Sequence, residues 1–592
     1  MNLSSTIKSI QDIMRKDDGV DGDAQRIGQL TWMLFLKVFD QREEEWEDDN
    51  ADYESPLPER FRWRNWAKYL PDAEGKKKPQ IAGSELIPFV NNELFPALKE
   101  QIDAGKSPQH QVIKQVFEDA NNYMKSGPLM LSVIEKLEEA INFHDFTTRA
   151  SLGDVYEQIL NDLRGAGNAG EFYTPRAITN FMVDRVNPRL DKRETVLDPA
   201  CGTGGFLTAT IDHLRNQLSK KSSAEDKRAI EDLIWGIEKK QLPHLLCTTN
   251  MLLHGIDVPS QIEHKNTLGV GWNEWSSTNK VDCLVTNPPF GGYEDDTVGG
   301  DYPADLRTRE TADMFMALII KKLLKENGRA AVVLPDGFLF GEGIKNTLKK
   351  LLLRDCKLHT IVRLPKGVFA PYTTIKTNLL FFTKGTMVAD GSEHFHTDTI
   401  WFYEHPYPLG YKSYSKTKPI RFEEFKPEQE WWGSEANDFV DREENDFAWK
   451  VDFKTKREHA EMAATPHWQR AEQLNNEAAV LENEARDMRN SLVGSTDADH
   501  REKVEAQIAA LREKAEPLRL QARDAQTTGD RLYWPIYNLD LTNPNAPEEE
   551  AHDPDVLLEK YKILLGQIEE TENQLKSELA ASLAHHFVDE VA

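Results

Sequence analysis

The spacing of apolar residues divides the chain of 592 residues into three regions. In the first, apolar side chains recur at helical intervals, as in Ile27, Leu30 and Leu34, which predicts a helical domain over residues 1–145. In the second, short apolar runs bounded by Gly and Pro alternate with helical patterns, for example in VDCLVTNPP, GRAAVVLPDG and NLLFFTKG. Such runs predict a parallel sheet covered by helices on both faces, so we expect an α/β domain over residues 146–455.

The third region, residues 456–592, repeats apolar residues at alternating intervals of three and four. The first run is Ala471, Leu474, Ala478, Leu481, Ala485, Met488 and Leu492, and the second is Val504, Ile508, Leu511, Ala515, Leu518, Ala522 and Ala525. Two such seams joined by a short turn predict an antiparallel helical hairpin. A third helix follows with Leu558, Tyr561, Leu565, Ile568, Leu575 and Leu579. This region is expected either to form a self-contained bundle or to serve as a docking arm for another subunit.

Composition limits the classes of partner. The net charge of −27 argues against binding nucleic acid mainly through a basic surface, although a basic cleft or a partner subunit could supply the phosphate contacts. The four cysteines include no Cys-x-x-Cys pair, so we predict neither a metal site nor a disulfide framework. No apolar run is long enough to span a bilayer, and the N-terminus lacks the apolar core of a secretory signal peptide. We therefore expect a cytoplasmic protein that does not associate with a membrane.

The segment ETVLDPACGTGGFL is typical of a strand that ends at Asp198, followed by a glycine-rich loop and a helix. Glycines allow the backbone to approach a nucleotide-like ligand at the carboxyl edge of a sheet, although any tight strand-to-helix turn also uses glycine. The spacing is not the dinucleotide G-x-G-x-x-G, and no G-x-x-x-x-G-K-[ST] occurs, so neither NAD nor ATP is favoured. Asp198 is suited to hold a cationic end of a ligand.

A second acidic residue, Glu238, ends the run DLIWGIE about one strand and one helix later. At the tip of the second strand, a carboxylate can accept hydrogen bonds from ribose hydroxyls. Were Glu238 to stand alone, a solvent-facing side chain would be the preferred interpretation. The glycine loop upstream makes the ligand-binding interpretation the stronger one.

The run VDCLVT is followed by Asn287, Pro288, Pro289 and Phe290. Prolines cannot continue a central strand, so this is either a turn that ends in Phe or a rigid platform that holds an amide and a ring. A glycine loop followed by Asn-Pro-Pro-Phe resembles the S-adenosylmethionine-dependent methyltransferases that modify N6 of adenine in DNA. The resemblance implies that the Asn287 side-chain oxygen and the Pro288 carbonyl accept hydrogen bonds from the target amine, while Phe290 stacks on the flipped base.

An adenine amine is a poor nucleophile because its lone pair is delocalised into the ring. Two acceptors on its hydrogens favour a pyramidal nitrogen aimed at the sulfonium methyl group. The contribution expected of the protein is therefore alignment plus electrostatic support for an in-line transfer. Because the base must leave the stack, a stacking ring offsets part of that cost.

Further motifs narrow the resemblance. GEFYTPR precedes DPACGTGGF, and this order is similar to that of the methylation (M) subunits of type I restriction-modification systems, over roughly two-thirds of the chain. The resemblance implies a Rossmann-like methyltransferase domain between helical flanks, with S-adenosylmethionine as cofactor. The residues expected to bind the cofactor are Gly170, Glu171, Phe172, Tyr173, Thr174, Pro175, Asp198, Ala200, Gly202, Thr203, Gly204, Gly205, Glu238, Asn266 and Asn287.

The sequence departs from the family pattern at one cofactor-binding position and offers two candidates for an aromatic contact with the target base. Where the family often has an Asp after the third strand, this sequence has EHKNTL, so Asn266 takes the role of accepting a hydrogen bond from the cofactor's adenine. The segment LPKGVFAPYTTIKTNLLFF is similar to a family segment whose aromatic residue contacts the other face of the target base. We place that contact at Phe369, with Tyr372 as the near alternative.

The resemblance also implies partners. They are double-stranded DNA, a specificity (S) subunit that reads the DNA sequence, a second M subunit and a separate restriction and motor (R) subunit. The alternatives are a self-sufficient adenine or N4-cytosine methyltransferase, a glutamine methyltransferase acting on protein, and an inactive scaffold that keeps the fold. The chain has no Pro-Cys dipeptide, so a covalent cytosine C5 mechanism through Cys201 is not predicted.

Overall fold

The computed structural model describes residues 3–71, 74–140, 156, 173–219, 222–386, 394–493, 498–546 and 554–589. These residues form two units, Met1–Thr542 and Asn543–Ala592. Among the described residues, no helix is both long and apolar enough to cross a membrane.

The N-terminal region is built from helices around an aromatic-rich core. Its α-helices are α1 (Leu3–Met14), α2 (Gly22–Asp49), α3 (Gly83–Phe89), α4 (Pro108–Phe117) and α5 (Gly127–Ala140), with a short strand pair β1 (Leu70–Pro71) and β2 (Lys77–Lys78). Buried Trp32, Phe35 and Phe39 of α2 lie in a core that extends to Leu246 and Leu252 of the next region. The N-terminal helices therefore share a core with the sheet-containing part of the chain.

Within the described residues, nine strands form one central sheet in the order β11-β10-β8-β9-β7-β6-β3-β4-β5. The strands are β3 (Val196–Asp198), β4 (Ile234–Glu238), β5 (Ile262–His264), β6 (Val281–Thr286), β7 (Leu324–Pro335), β8 (Cys356–Arg363), β9 (Thr377–Lys384), β10 (Thr399–Glu404) and β11 (Ala448–Asp452). The prediction of a parallel sheet is wrong for β9, which is antiparallel to β7 and β8, and for β11, which is antiparallel to β10. The sheet is therefore mixed.

Helices cover both faces of the sheet. They are α6 (Arg176–Val186), α7 (Gly205–Arg215), α8 (Ala224–Leu233), α9 (Gln241–Leu253), α10 (Thr311–Leu318), α11 (Asp336–Phe340), α12 (Ile344–Asp355) and α13 (Lys426–Trp431). Along β6, Leu284 belongs to the core on the face covered by α10 and α12, whereas Cys283 and Val285 belong to the core on the face covered by α6. Because both faces are buried here, the successive residues Cys283, Leu284 and Val285 are all apolar instead of alternating with polar ones.

Strand order reverses between β6 and β3. From β3 the chain continues to β4 and β5 on one side, and β6 and β7 then add to the other side of β3. The crevice outside the carboxyl ends of β3 and β6 is therefore a topological switch point, where open α/β sheets bind ligands.

Two long helices, α14 (Phe453–Ser491) and α15 (Ala498–Tyr533), pack together as the predicted hairpin. Small residues of the two seams are almost fully buried, among them Ala478 and Ala522, which have no exposed surface. At the base of the hairpin, Trp468 Nε1 donates a hydrogen bond to Asp530 Oδ1 at 3.0 Å. Phe453 at the start of α14 belongs to the core of the sheet, so this end of the hairpin is anchored to the α/β region.

The second unit contains one helix, α16 (Pro554–Asp589), among its described residues. Its apolar seam is exposed rather than packed, with exposed fractions of 57% for Leu558, 64% for Tyr561 and 62% for Leu579. Exposed apolar stripes of this kind mark contact surfaces more often than solvated faces.

Candidate functional site

A cavity of about 250 Å³ lies at the switch point between β3 and β6. Three segments supply most of its lining: the glycine loop after β3, the end of β4, and the turn after β6. The chain therefore brings the separate sequence motifs to one edge of the sheet.

The glycine loop has a backbone that only glycine adopts without strain. Gly202 and Gly204 have φ angles of +54° and +81°. A Cβ atom on Gly204 would lie 2.8 Å from Cys247 Sγ and 3.1 Å from Met251 Cε, both on α9. The loop thus lies too close to α9 to tolerate a side chain at Gly204, and α7 begins directly after it.

Asp198, at the end of β3, is 1% exposed and faces the cavity. Its Oδ1 accepts hydrogen bonds from Thr286 Oγ1 at 2.7 Å and from the backbone N–H of Ala200 at 3.1 Å. Burial is the main cause that raises the pKa of this carboxyl to about 7, with the nearby Glu238 carboxylate adding to it. A cationic ligand end beside Asp198 would stabilise the ionised form.

Glu238, at the end of β4, is also buried and lines the same cavity. Its Oε2 accepts from the backbone N–H of Gly202 at 2.9 Å, and its Oε1 accepts from that of Lys240 at 2.6 Å. Burial raises its pKa, while these backbone donors oppose the shift. Each carboxylate oxygen has a further lone pair, so Glu238 can still accept from a ligand hydroxyl.

Asn266 lies on the rim of the cavity with its amide partly engaged. Its Oδ1 accepts from the backbone N–H of Leu268 at 3.2 Å, and its Nδ2 donates to Glu294 Oε2 at 3.4 Å. Glu294 in turn forms an ion pair with Lys239 at 2.8 Å, next to Glu238. The predicted acceptor role of Asn266 therefore depends on the second lone pair of its oxygen.

The turn after β6 holds Asn287 in one orientation. Asn287 Nδ2 donates to Thr174 Oγ1 at 3.0 Å, whereas its Oδ1 is buried and has no hydrogen-bond partner among the described residues. Thr311, at the start of α10, donates from Oγ1 to the backbone carbonyls of Pro289 at 3.0 Å and Gly292 at 3.1 Å. The turn is thus anchored from α10, and its one free side-chain acceptor is Asn287 Oδ1.

Phe290 and Phe369 lie in contact beside this turn. Their ring centroids are 6.3 Å apart with an interplanar angle of 79°, an edge-to-face pair. Phe369 is 6% exposed and Phe290 is half-buried. A planar base held between the two rings would require them to separate and rotate.

The structure brings many of the predicted site residues to the cavity. The cavity is lined by the predicted residues Thr174, Asp198, Ala200, Gly202, Thr203, Gly205, Glu238, Asn266, Asn287 and Pro289. Gly204, Pro288, Phe290, Phe369 and Tyr372 lie outside this lining, within the described part of the chain. Tyr173 is buried in the N-terminal core, and Pro175 precedes the first residue of α6. Gly170, Glu171 and Phe172 lie outside the described residues.

Sequence reasoning missed three residues that hold the site together. Thr286 fixes the Asp198 carboxylate, Thr311 fixes the turn, and Lys239 pairs with Glu294 at the rim. The position of Thr286, directly before Asn287 on a strand beside β3, was a usable signal. Thr311 lies 22 residues beyond Pro289, and no local pattern marks it.

The strand order and this site define a Rossmann-like methyltransferase domain. Residues 147–477 match the N-6 DNA Methylase family, and residues 3–137 match the HsdM N-terminal domain. The chain therefore belongs to the adenine-specific N-6 DNA methylases and, within them, to the methylation subunits of type I restriction-modification systems.

The relatives agree with this assignment over the whole chain. The chain is 49% identical over 585 residues to the type I restriction enzyme EcoEI methylase subunit of Escherichia coli, and the match covers 99% of both. A solved chain from work on complex assembly and conformational transition of the type I R-M system has a TM-score of 0.67 and 29% identity, covering 98% of this chain and 99% of its own. A modification subunit from Vibrio vulnificus YJ016 has a TM-score of 0.62 and 37% identity, and the match covers 76% of this chain and 92% of the Vibrio chain.

Proposed function

We propose that this chain transfers the methyl group of S-adenosylmethionine to N6 of an adenine rotated out of duplex DNA. The observation that carries the proposal is Asn287 Oδ1, a buried acceptor without a partner among the described residues, on a side chain that lines the cavity beside the glycine loop. A buried polar atom without a partner costs free energy, and an exocyclic amine donating to it would remove that cost.

The lining of the cavity supports S-adenosylmethionine as the cofactor. The cofactor carries a cationic amine and sulfonium, a ribose and an adenine, and the cavity offers Asp198, Glu238 and Asn266 along one edge. The absence of a side chain at Gly204 lets the loop lie tightly against α9. When bound, the cofactor would supply its methyl group to the amine nitrogen. The electron pair of the broken carbon–sulfur bond would stay on sulfur, and the methylated nitrogen would release one of its protons to solvent.

The residues of this chain then have separate roles. Asn287 Oδ1 and the Pro288 carbonyl accept hydrogen bonds from the two amine N–H groups and orient the nitrogen for transfer. Phe290 and Phe369 (or Tyr372) hold the faces of the base once it has left the stack. Asp198 neutralises the cationic end of the cofactor, and Glu238 accepts from its ribose.

We further propose that sequence recognition comes from a specificity subunit, with a second copy of this chain and a separate restriction and motor subunit in the complete assembly. The net charge of −27 supports a partner that supplies phosphate contacts. Region 456–592 is proposed as a subunit contact, because the apolar seam of α16 is exposed.

A transfer assay with tritiated S-adenosylmethionine and unmethylated DNA tests the proposal. We expect label in N6-methyladenine when the specificity subunit is present and little label with the chain alone. Sequence-specific transfer by the isolated chain would contradict partner dependence. Cofactor binding without transfer in either setting would favour a scaffold.

Cofactor affinity is expected to fall as the pH drops through 7. The raised pKa of Asp198 means that its carboxyl is increasingly protonated below pH 7 in the free protein, whereas a cationic cofactor requires the ionised form. Affinity should be roughly tenfold lower at pH 6 than at pH 7.5, with about one proton released on binding near the lower pH. Isothermal titration calorimetry in buffers of different ionisation enthalpy measures both quantities.

Asp198→Asn is the matched control for this pH dependence. It keeps the size of the side chain and removes the titrating group, so its affinity should be weaker and nearly independent of pH over the same range. If the variant keeps the slope of the wild-type protein, another group is responsible.

Phe290→Ala should weaken the capture of the flipped base. Removing one ring of the pair leaves the base with less stacking, which is worth about 1–3 kcal/mol per base in single-stranded complexes. We expect slower transfer and a smaller rise in fluorescence from 2-aminopurine placed at the target position. An unchanged fluorescence response would show that Phe290 is not the stacking ring.

A further inference from the structure

Asn287 can serve as an acceptor only if its amide has the correct orientation. The oxygen and the NH₂ group of an amide are nearly equal in size, so packing alone does not distinguish the two orientations. In the reversed orientation, the NH₂ group would point at the target amine and repel its hydrogens. Some other group must therefore fix the amide.

We propose that Thr174 is the positioning residue that orients the Asn287 amide for transfer, an inference that rests on the proposed methylation of adenine. Its Oγ1 accepts the hydrogen bond from Asn287 Nδ2 at 3.0 Å, which turns Oδ1 away from Thr174. This role differs from the contact with the cofactor that the sequence motif implies for the same residue.

The surroundings of Thr174 suit it to this role. It directly precedes Pro175, which restricts its backbone to extended conformations, and its β-branched side chain has few rotamers. Its carbonyl oxygen lies 3.8 Å from the Cβ position of Gly205, in the glycine loop. Arg176 Nη1 donates to the Gly205 carbonyl at 2.7 Å, which ties the start of α6 to the same loop.

The hydroxyl group also has a proton to donate. Thr174 lines the cavity, so an acceptor oxygen of a cofactor bound there would be able to take that proton. A hydroxyl that donates to the cofactor must accept from Asn287, and the amide oxygen is then left for the target amine. Cofactor occupancy and the orientation of the base acceptor are thereby coupled through one hydroxyl group.

Single-turnover transfer with the complete methyltransferase, including its specificity subunit, tests this inference. Thr174→Val keeps the shape of the side chain and removes the hydroxyl group, so we expect the rate at saturating cofactor to fall roughly 100-fold, as when one preorganised hydrogen bond is lost. Calorimetry should show cofactor affinity within about threefold of wild type, a small change beside the effect on rate. Thr174→Ser should recover most of the lost rate.

A double-variant cycle separates orientation from general structural damage. A carboxylate has two equivalent acceptors and no wrong orientation, so Thr174→Val should cost little in an Asn287→Asp background. A loss of equal size in both backgrounds would overturn the inference. If Asn287→Asp is inactive, the comparison of Thr174→Val with Thr174→Ser decides. Equal rates for these two variants would overturn the inference, and a recovered rate in Thr174→Ser alone would support it.

The same experiments separate the inference from a role of Thr174 in cofactor binding alone and from failure of the proposed function. A Thr174→Val variant that binds cofactor weakly but transfers normally at saturation would make Thr174 a cofactor ligand only, contrary to the inference. Failure of the wild-type complex to label adenine would instead overturn the proposed function, and this is seen before any variant is compared.

Discussion

Asn287→Ala is expected to bind S-adenosylmethionine almost as well as the wild-type protein and to transfer no measurable methyl group. The substitution removes Oδ1, the side-chain acceptor that we propose for the target amine, and leaves Asp198, Glu238 and the glycine loop in the lining of the cavity. Loss of a preorganised electrostatic contact costs on the order of 100- to 1,000-fold in rate, and here the alignment of the nucleophile is lost as well. Calorimetry for the cofactor and a single-turnover transfer assay measure the two effects separately.

Asn483→Ala is a suitable control, because Asn483 lies on the exposed side of the hairpin and contacts Arg486. It should match the wild-type protein in both measurements. If Asn287→Ala loses cofactor binding while thermal unfolding shows a folded protein, Asn287 is a cofactor ligand and the assigned role is wrong.

Gly204→Ala should markedly weaken cofactor binding. The residue has a φ of +81°, where an L side chain costs about 1–2 kcal/mol. The added Cβ would also lie 2.8 Å from Cys247 Sγ, so the loop must move away from α9. Because this loop forms part of the cavity lining, we expect cofactor affinity to fall more than about tenfold, equivalent to 1.4 kcal/mol.

Gly410→Ala provides a matched control for backbone strain. Gly410 has a φ of +80°, and a Cβ there meets nothing within 4 Å. It should lose a similar amount of stability in thermal unfolding and keep its cofactor affinity. Equal losses of affinity in both variants would show that general strain, and not displacement of the cofactor loop, causes the effect.

The sequence predicts much of the fold and of the candidate site because the signals for them are local. Asp198, Glu238 and Asn287 each end a short apolar run, and the carboxyl ends of neighbouring parallel strands meet at one edge. The positive φ of Gly204 and the prolines after Asn287 are local backbone requirements that the sequence marks directly. The heptad seams of α14 and α15 likewise depend only on spacing.

The rest of the fold and of the site depends on tertiary contacts, which the spacing of residues in the sequence does not reveal. Strands β8 and β9 are buried on both faces, so their apolar runs look the same whether the strands pair parallel or antiparallel. Tyr173 lies within the motif that resembles a cofactor contact, yet it packs in the N-terminal core, which only tertiary structure determines. Only tertiary structure likewise brings Thr311 to the turn after β6.

Asn287 Oδ1, which has no hydrogen-bond partner among the described residues, has a consequence for selectivity among bases. A thymine in the same place would present a carbonyl oxygen to this acceptor, and both oxygens would remain unpaired inside a closed site. A site built around a hydrogen bond rejects an analogue that lacks it far more strongly than an apolar pocket rejects a missing methyl group. If Asn287 has the proposed role, this acceptor selects for bases with an amino group, before any contact that reads the surrounding DNA.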